Sequence, residues 1–84
     1  MSREVPEQVI GEKVLTVLRE MIGRPSISPV DDFYAVGGHS LLIMRIIRRL
    51  RDEHGIDLDV RSFARNPQVA ALMSAARPTA GAEP

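Results

Sequence analysis

The sequence has no cysteine among its 84 residues. Disulfides, thiolate metal sites and cysteine nucleophiles are therefore excluded, and the composition suits a reducing cytoplasm. An excess of charge of either sign is also missing, because eleven Lys and Arg balance eleven Asp and Glu to a formal net charge of zero. Without a whole-molecule field, neither a nucleic-acid binder nor a polybasic membrane anchor is indicated, and any partner has to be read by local surface. Two histidines are too few for a convincing zinc site. No apolar run approaches the length of a membrane span, and the start, Met1 to Gln8, is charged rather than apolar, so neither insertion nor export is indicated. A chain of this length allows one domain with one modest core and little room for an active-site cleft. The default reading is a soluble, cytoplasmic protein.

What is present is mostly helical periodicity. From about Pro6 to Ile22 the apolar residues Ile10, Val14, Val17, Leu18 and Met21 recur at spacings of three and four, the buried stripe of an amphipathic helix, with Pro6 in its first turn and Gly23 at its stop. Arg24 to His39 then breaks the pattern with Pro25, Pro29, Gly37 and Gly38. A connection of roughly 16 residues is long for a bundle, where about 2 to 8 suffice. Ile27, Val30, Phe33, Tyr34 and Val36 make it too apolar for a disordered linker, so it should pack down on the helices. A second helix is expected from about Ser40 to His54, with Ser40 as its N-cap and Gly55 just beyond its end. Its core stripe reads Ile43, Ile46, Ile47 and Leu50, with Leu42 on the flank. Ile56 to Asp59 alternates, and Asp59 suits the cap of a short turn through Val60, Ser62, Phe63 and Ala64. Asn66-Pro67 signals a last helix with a Val69, Leu72, Met73 and Ala76 stripe. The expected fold is all-α, three main helices plus one short helix, with a long ordered loop between the first two. Residues 1–5 read as a lead, 6–77 as the domain and 78–84 as a flexible tail.

The one unusual constellation is Asp31-Asp32-Phe33-Tyr34-Ala35-Val36-Gly37-Gly38-His39-Ser40-Leu41-Leu42, which sets a serine hydroxyl at a helix start behind two glycines. This stretch resembles the attachment motif of peptidyl carrier domains, the thiolation domains of nonribosomal peptide synthetases, in which an aromatic pair precedes Gly-Gly-His-Ser-Leu. Helix order, the long first loop, Gly55 and the Asn66-Pro67 start extend the resemblance over roughly Glu7 to Ala76. It implies an acyl-carrier-like bundle. It also implies that a phosphopantetheinyl transferase attaches 4'-phosphopantetheine from coenzyme A to Ser40, with Gly37, Gly38 and His39 as the flanking motif. The implied partners are that transferase, an adenylating enzyme and condensing, tailoring or thioesterase enzymes; the chain itself would be a non-catalytic, monomeric carrier. Elementary electrostatics agrees, because a phosphodiester is anionic and a helix N-terminus offers unpaired N–H groups and the positive end of the macrodipole. Histidine before the serine favours the peptidyl class, since acyl carriers of fatty acid and polyketide synthesis usually resemble Asp-Ser-Leu there. An acyl or aryl carrier of a polyketide or hybrid pathway is the neighbouring alternative.

Blander readings compete at each position. Serine is a common helix cap, and His39 either tunes the helix start, contacts the transferase or is a solvated spacer. Asp31 and Asp32 cap or solvate the loop, and His54 serves the negative end of its helix. A hydrolase nucleophile elbow fails because Leu42 stands where its last glycine is needed, and a P-loop fails because His39 stands where lysine is needed. Leu41 and Met44 point away from the core stripe beside Arg45 and Arg48, which makes them a candidate docking surface; the competing view packs them under the long loop. Such a basic helix should discriminate against enzymes that read the acidic second helix of fatty acid carriers. If Ser40 is never modified, the same face defines a plain helical interaction domain. A methionine start with no catalytic domain suits a free-standing carrier, although a piece of a larger synthetase could look the same.

Overall fold

The computed structural model describes residues 7–79. Its elements are α1 (Glu7–Ile22), α2 (Ser40–His54), β1 (Ile56–Leu58), α3 (Val60–Arg65), α4 (Val69–Ser74) and β2 (Ala76–Pro78). In α1 the expected stripe is buried: Ile10, Val14, Val17 and Leu18 lie in the core with Leu15, and Met21 packs against them. The stripe of α2 is shifted. Leu42, Ile46 and Leu50 are the buried residues, whereas Ile43 and Ile47 are only half-buried at its edge. Leu42 therefore belongs to the core and not to the flank, because α2 is covered by α1 and β1 together and so buries a wider arc than one neighbour would.

The long loop is ordered by specific bonds. Ile27 and Phe33 are fully buried, and Val36 packs partly against the core. Arg19 Nε donates to the Ile27 carbonyl at 2.9 Å. Both aspartates act as loop caps: Asp31 Oδ2 accepts from Ser28 N–H at 2.8 Å, and Asp32 Oδ1 accepts from Tyr34 and Ala35 N–H at 2.8 and 3.0 Å. The loop is also laced to the start of α4, with Phe33 N–H donating to the Pro67 carbonyl (2.8 Å), Val69 N–H to Asp31 (2.9 Å) and Ala70 N–H to Pro29 (2.8 Å). Contrary to expectation, Val30 and Tyr34 stay exposed. The inward-facing apolar residues of the loop are Ile27, Phe33 and, in part, Val36, spaced six and three apart, so the turns between them carry Val30 and Tyr34 outward.

That lacing explains why α4 begins later than Asn66-Pro67 suggests. Pro67 and Gln68 are spent on the loop, where Gln68 bridges Asp32, and Gln68 is extended at φ −72° and ψ 147°. The helix also ends early, at Ser74, and Ala76 is buried on a strand rather than on a helical stripe. An antiparallel ribbon that the all-helical expectation omitted pairs Ile56 with Pro78, Asp57 with Arg77 and Leu58 with Ala76. Its middle pair sets opposite charges across the two strands. Pro78 was expected to open the tail; it sits at the end of this strand instead, and Thr79 N–H donates to the Gly55 carbonyl at 2.8 Å. The lead over 1–5, Pro6 and the rest of the tail, 80–84, lie outside the described residues. As anticipated, Asp59 caps α3, accepting Arg61 N–H at 3.0 Å. No helix among the described residues is long and apolar enough to cross a membrane.

Candidate functional site

Phe33 is the support on which the site is built. Its ring is inaccessible to solvent and is met edge-on by Phe63, with centroids 5.2 Å apart and planes at 84°. Tyr34 packs against both rings but remains about half exposed, so of the expected aromatic pair only Phe33 is an anchor. The chain crosses the face of Phe33 at Gly38, whose N–H donates back to the Phe33 carbonyl at 2.8 Å. A Cβ at position 38 would stand 2.3 to 2.4 Å from three ring carbons, so only glycine lets the backbone lie this close. Gly37 makes the preceding bend with φ of 113°, a conformation in which L side chains are strained.

His39 then opens the helix. Its backbone is extended (φ −157°, ψ 171°), its carbonyl accepts Ile43 N–H at 3.0 Å, and its side-chain Nδ1 accepts Leu42 N–H at 3.2 Å. His39 is thus the N-cap, and Ser40, expected in that role, is the first residue of the helix proper and exposed. Histidine is not among the preferred capping residues, which is why the sequence pointed one position too far along. Among the described residues no hydrogen bond engages the Ser40 hydroxyl or the N–H groups of Ser40 and Leu41. The first turn of α2 carries no acidic side chain. Free N–H groups, the positive end of the helix and the absence of a competing carboxylate together fit an anionic phosphodiester on the serine oxygen.

Below Ser40, Leu41 is 59% and Met44 66% exposed, and Arg45 and Arg48 are exposed beside them. The competing view that the two apolar residues pack under the loop is thereby ruled out. At about 100° per residue the four fall within an arc of about 100°, on the side of α2 away from Leu42, Ile46 and Leu50. The arginines of α2 divide by partner. Arg49 bridges Glu20 (2.9 Å) and Glu53 (3.1 Å), and Arg51 meets Asp57 (3.0 Å), while no ion pair among the described residues involves Arg45 or Arg48. No cluster of His, Asp and Glu among the described residues could hold a metal ion. His54 lies exposed in the last turn of α2.

This geometry has known counterparts. The family model described as "Phosphopantetheine attachment site" matches residues 12–76. The chain is 37% identical over 67 residues to surfactin synthase subunit 3 of Bacillus subtilis (strain 168), covering 80% of this chain and 5% of that protein. Tyrocidine synthase 3 of Brevibacillus parabrevis is 29% identical over 75 residues, covering 89% of this chain and 1% of that one. The chain therefore spans a small fraction of these relatives' length. Among solved structures it is similar to a "Non Ribosomal PCP domain" with a TM-score of 0.68 at 29% identity, covering 93% of this chain and 97% of the other. It is also similar to BlmI, a type-II acyl-carrier-protein from Streptomyces verticillus, with a TM-score of 0.64 at 25% identity, covering 80% of this chain and 81% of that one. A helical bundle that presents an exposed serine at the mouth of α2, matched along most of its length, belongs to the phosphopantetheine attachment family, whose members carry covalently bound 4'-phosphopantetheine.

Proposed function

We propose that this chain is a peptidyl carrier of nonribosomal peptide or related natural-product synthesis, with Ser40 as its attachment point. The observation that carries the reading is that Ser40 stands exposed in the first turn of α2 with its hydroxyl uncommitted. In the attachment step the Ser40 oxygen forms a bond to the phosphorus of coenzyme A that bears the pantetheine. The pyrophosphate bond breaks, adenosine 3',5'-bisphosphate leaves, and the hydroxyl proton passes to a base of the transferase. Gly37 and Gly38 keep the approach to the oxygen low, and the free N–H groups of the first turn meet the anion that results. When bound, the arm supplies a terminal thiol that carries aminoacyl or peptidyl groups as thioesters. The chain performs none of these reactions; it is the substrate of a phosphopantetheinyl transferase and of an adenylating enzyme, and works as a monomer in the cytoplasm.

Incubation with coenzyme A, magnesium and a broad-specificity transferase should add the mass of one phosphopantetheine to the wild type and nothing to Ser40→Ala. An unchanged wild-type mass with several transferases would leave only the interaction-domain reading. The likeness to BlmI favours a second reading, an acyl or aryl carrier; loading by an amino-acid adenylating enzyme separates the two.

Leu41, Met44, Arg45 and Arg48 are the face we assign to docking of adenylating, condensing, tailoring and thioesterase partners. Covering Leu41 and Met44 in a complex returns about 1–2 kcal/mol for each. Met44→Glu should therefore slow transfer from a partner about tenfold or more while leaving helicity unchanged. Transfer at the wild-type rate would remove Met44 from that face.

A further inference from the structure

The serine proposed for modification is not the cap of its helix, and the residue that is the cap has a side chain suited to replacing it. A serine at the cap turns its oxygen onto an N–H of the first turn and accepts a hydrogen bond there. With His39 at that position, the Leu42 N–H goes to the imidazole Nδ1 at 3.2 Å. The same residue closes the first main-chain bond, Ile43 N–H to the His39 carbonyl at 3.0 Å, and its extended backbone is the conformation a cap requires. Gly38, pressed on the Phe33 ring and bonded to the Phe33 carbonyl, fixes the residue immediately before it. An imidazole nitrogen accepts only when it carries no proton, so this bond requires the tautomer whose proton is on Nε2.

We propose that His39 is a positioning residue for attachment at Ser40: it caps α2 in place of the serine and so leaves the Ser40 hydroxyl free to react. With alanine at 39, the nearest side chain able to cap the helix is that of Ser40, whose oxygen would then be engaged by the backbone. Attack on coenzyme A would first require that bond to be given up. The inference rests on Ser40 being the attachment point and adds to it the reason the hydroxyl is available.

The test compares phosphopantetheine loading of the wild type, His39→Ala and His39→Asn by one transferase with coenzyme A as donor. A lost cap corresponds to about fivefold, so kcat/KM should fall about fivefold in His39→Ala and return to within about twofold of wild type in His39→Asn, because asparagine is a strong cap. Nitrogen NMR of the wild type should show the His39 proton on Nε2. Amide exchange at Leu42 should quicken in the alanine variant and recover in the asparagine variant. Loading of His39→Ala at the wild-type rate overturns the proposal. Loading of His39→Asn as slow as that of alanine also overturns it, and assigns the ring to direct contact with the transferase. A ring proton on Nδ1 overturns it without any loading assay. A wild type that takes up no phosphopantetheine removes the attachment reading itself and this inference with it.

Discussion

Replacing Gly38 by alanine is the sharpest test of how the attachment loop is held. Its added Cβ would lie 2.3 Å from Phe33 Cε2 and 2.4 Å from Cδ2 and Cζ, where ordinary contact begins at 3.4 Å, so something has to move by about 1 Å. The ring has little room to retreat: Phe33 is fully buried, and Phe63 packs against it in a T-shaped pair with centroids 5.2 Å apart. The backbone φ of Gly38 is not positive, so the whole cost comes from the clash and none from the alanine's own conformation. Overpacking of this kind costs about 1–3 kcal/mol. For a domain of this size each kcal/mol lowers Tm by about 4–8 °C, which gives a fall of about 5–20 °C. Gly23→Ala is the matched control, because φ is 81° there and nothing lies within 4 Å of the new methyl, leaving about 1 kcal/mol of backbone strain alone. Thermal melts followed by circular dichroism, with phosphopantetheine loading measured on the same samples, compare the two. Loading should suffer far more in Gly38→Ala than in Gly23→Ala, because the displaced backbone leads directly into Ser40. Equal melting and equal loading of the two variants would refute the claim that close approach to Phe33 positions the serine.

Two further outcomes separate core from surface on α2 and give the sign of one pH effect. Ile46→Ala, at a site with no solvent exposure, should cost about 2–5 kcal/mol in urea denaturation, while Met44→Ala, three-quarters of a turn or less from it along the chain but exposed, should change stability by less than about 0.5 kcal/mol. Asp59 is held below its ordinary value of 3.8 chiefly by its side-chain hydrogen bonds with Arg61. A depressed carboxyl stabilises the folded state above the unfolded value and loses that contribution as pH falls through the folded value. The stability advantage of the wild type over Asp59→Asn should accordingly hold from neutral pH to about 3.8 and close below it, as denaturation across a pH series would show.

Several features were legible because local rules and tertiary packing agree. The α1 stripe, the Gly23 and Gly55 stops, the aspartate turns and the Asp59 cap each depend on neighbours a few residues away. The position of Leu41 and Met44 outside the core followed from helical geometry alone. Most features that the sequence does not show depend on partners far along the chain; the His39 cap, a contact between residues 39 and 42, is an exception. The exposure of Tyr34 is not legible because nothing in the sequence reveals that Phe63, thirty positions from Phe33, packs beside that ring. Val30 was placed inside because apolarity alone does not tell which residue of a bonded turn faces the core. The late start of α4 comes from bonds that Pro67 and Gln68 make to residues 31–33, and its early end from a strand pairing across the domain.

The chain's own order of residues determined the neutral, disulfide-free helical character, the long loop with its Gly-Gly-His-Ser run, and the serine proposed as the attachment point. All of these are patterns in composition or in spacings shorter than a few turns. Only the tertiary structure decided that His39 and not Ser40 caps α2, that Gly38 is compelled by a buried ring, and that Pro78 joins a ribbon instead of a tail. The glycine at 38 answers to a ring held in place by Phe63, and Pro78 pairs with a strand far back in the chain, whereas the His39 cap spans three residues and was hidden because histidine ranks low among capping residues.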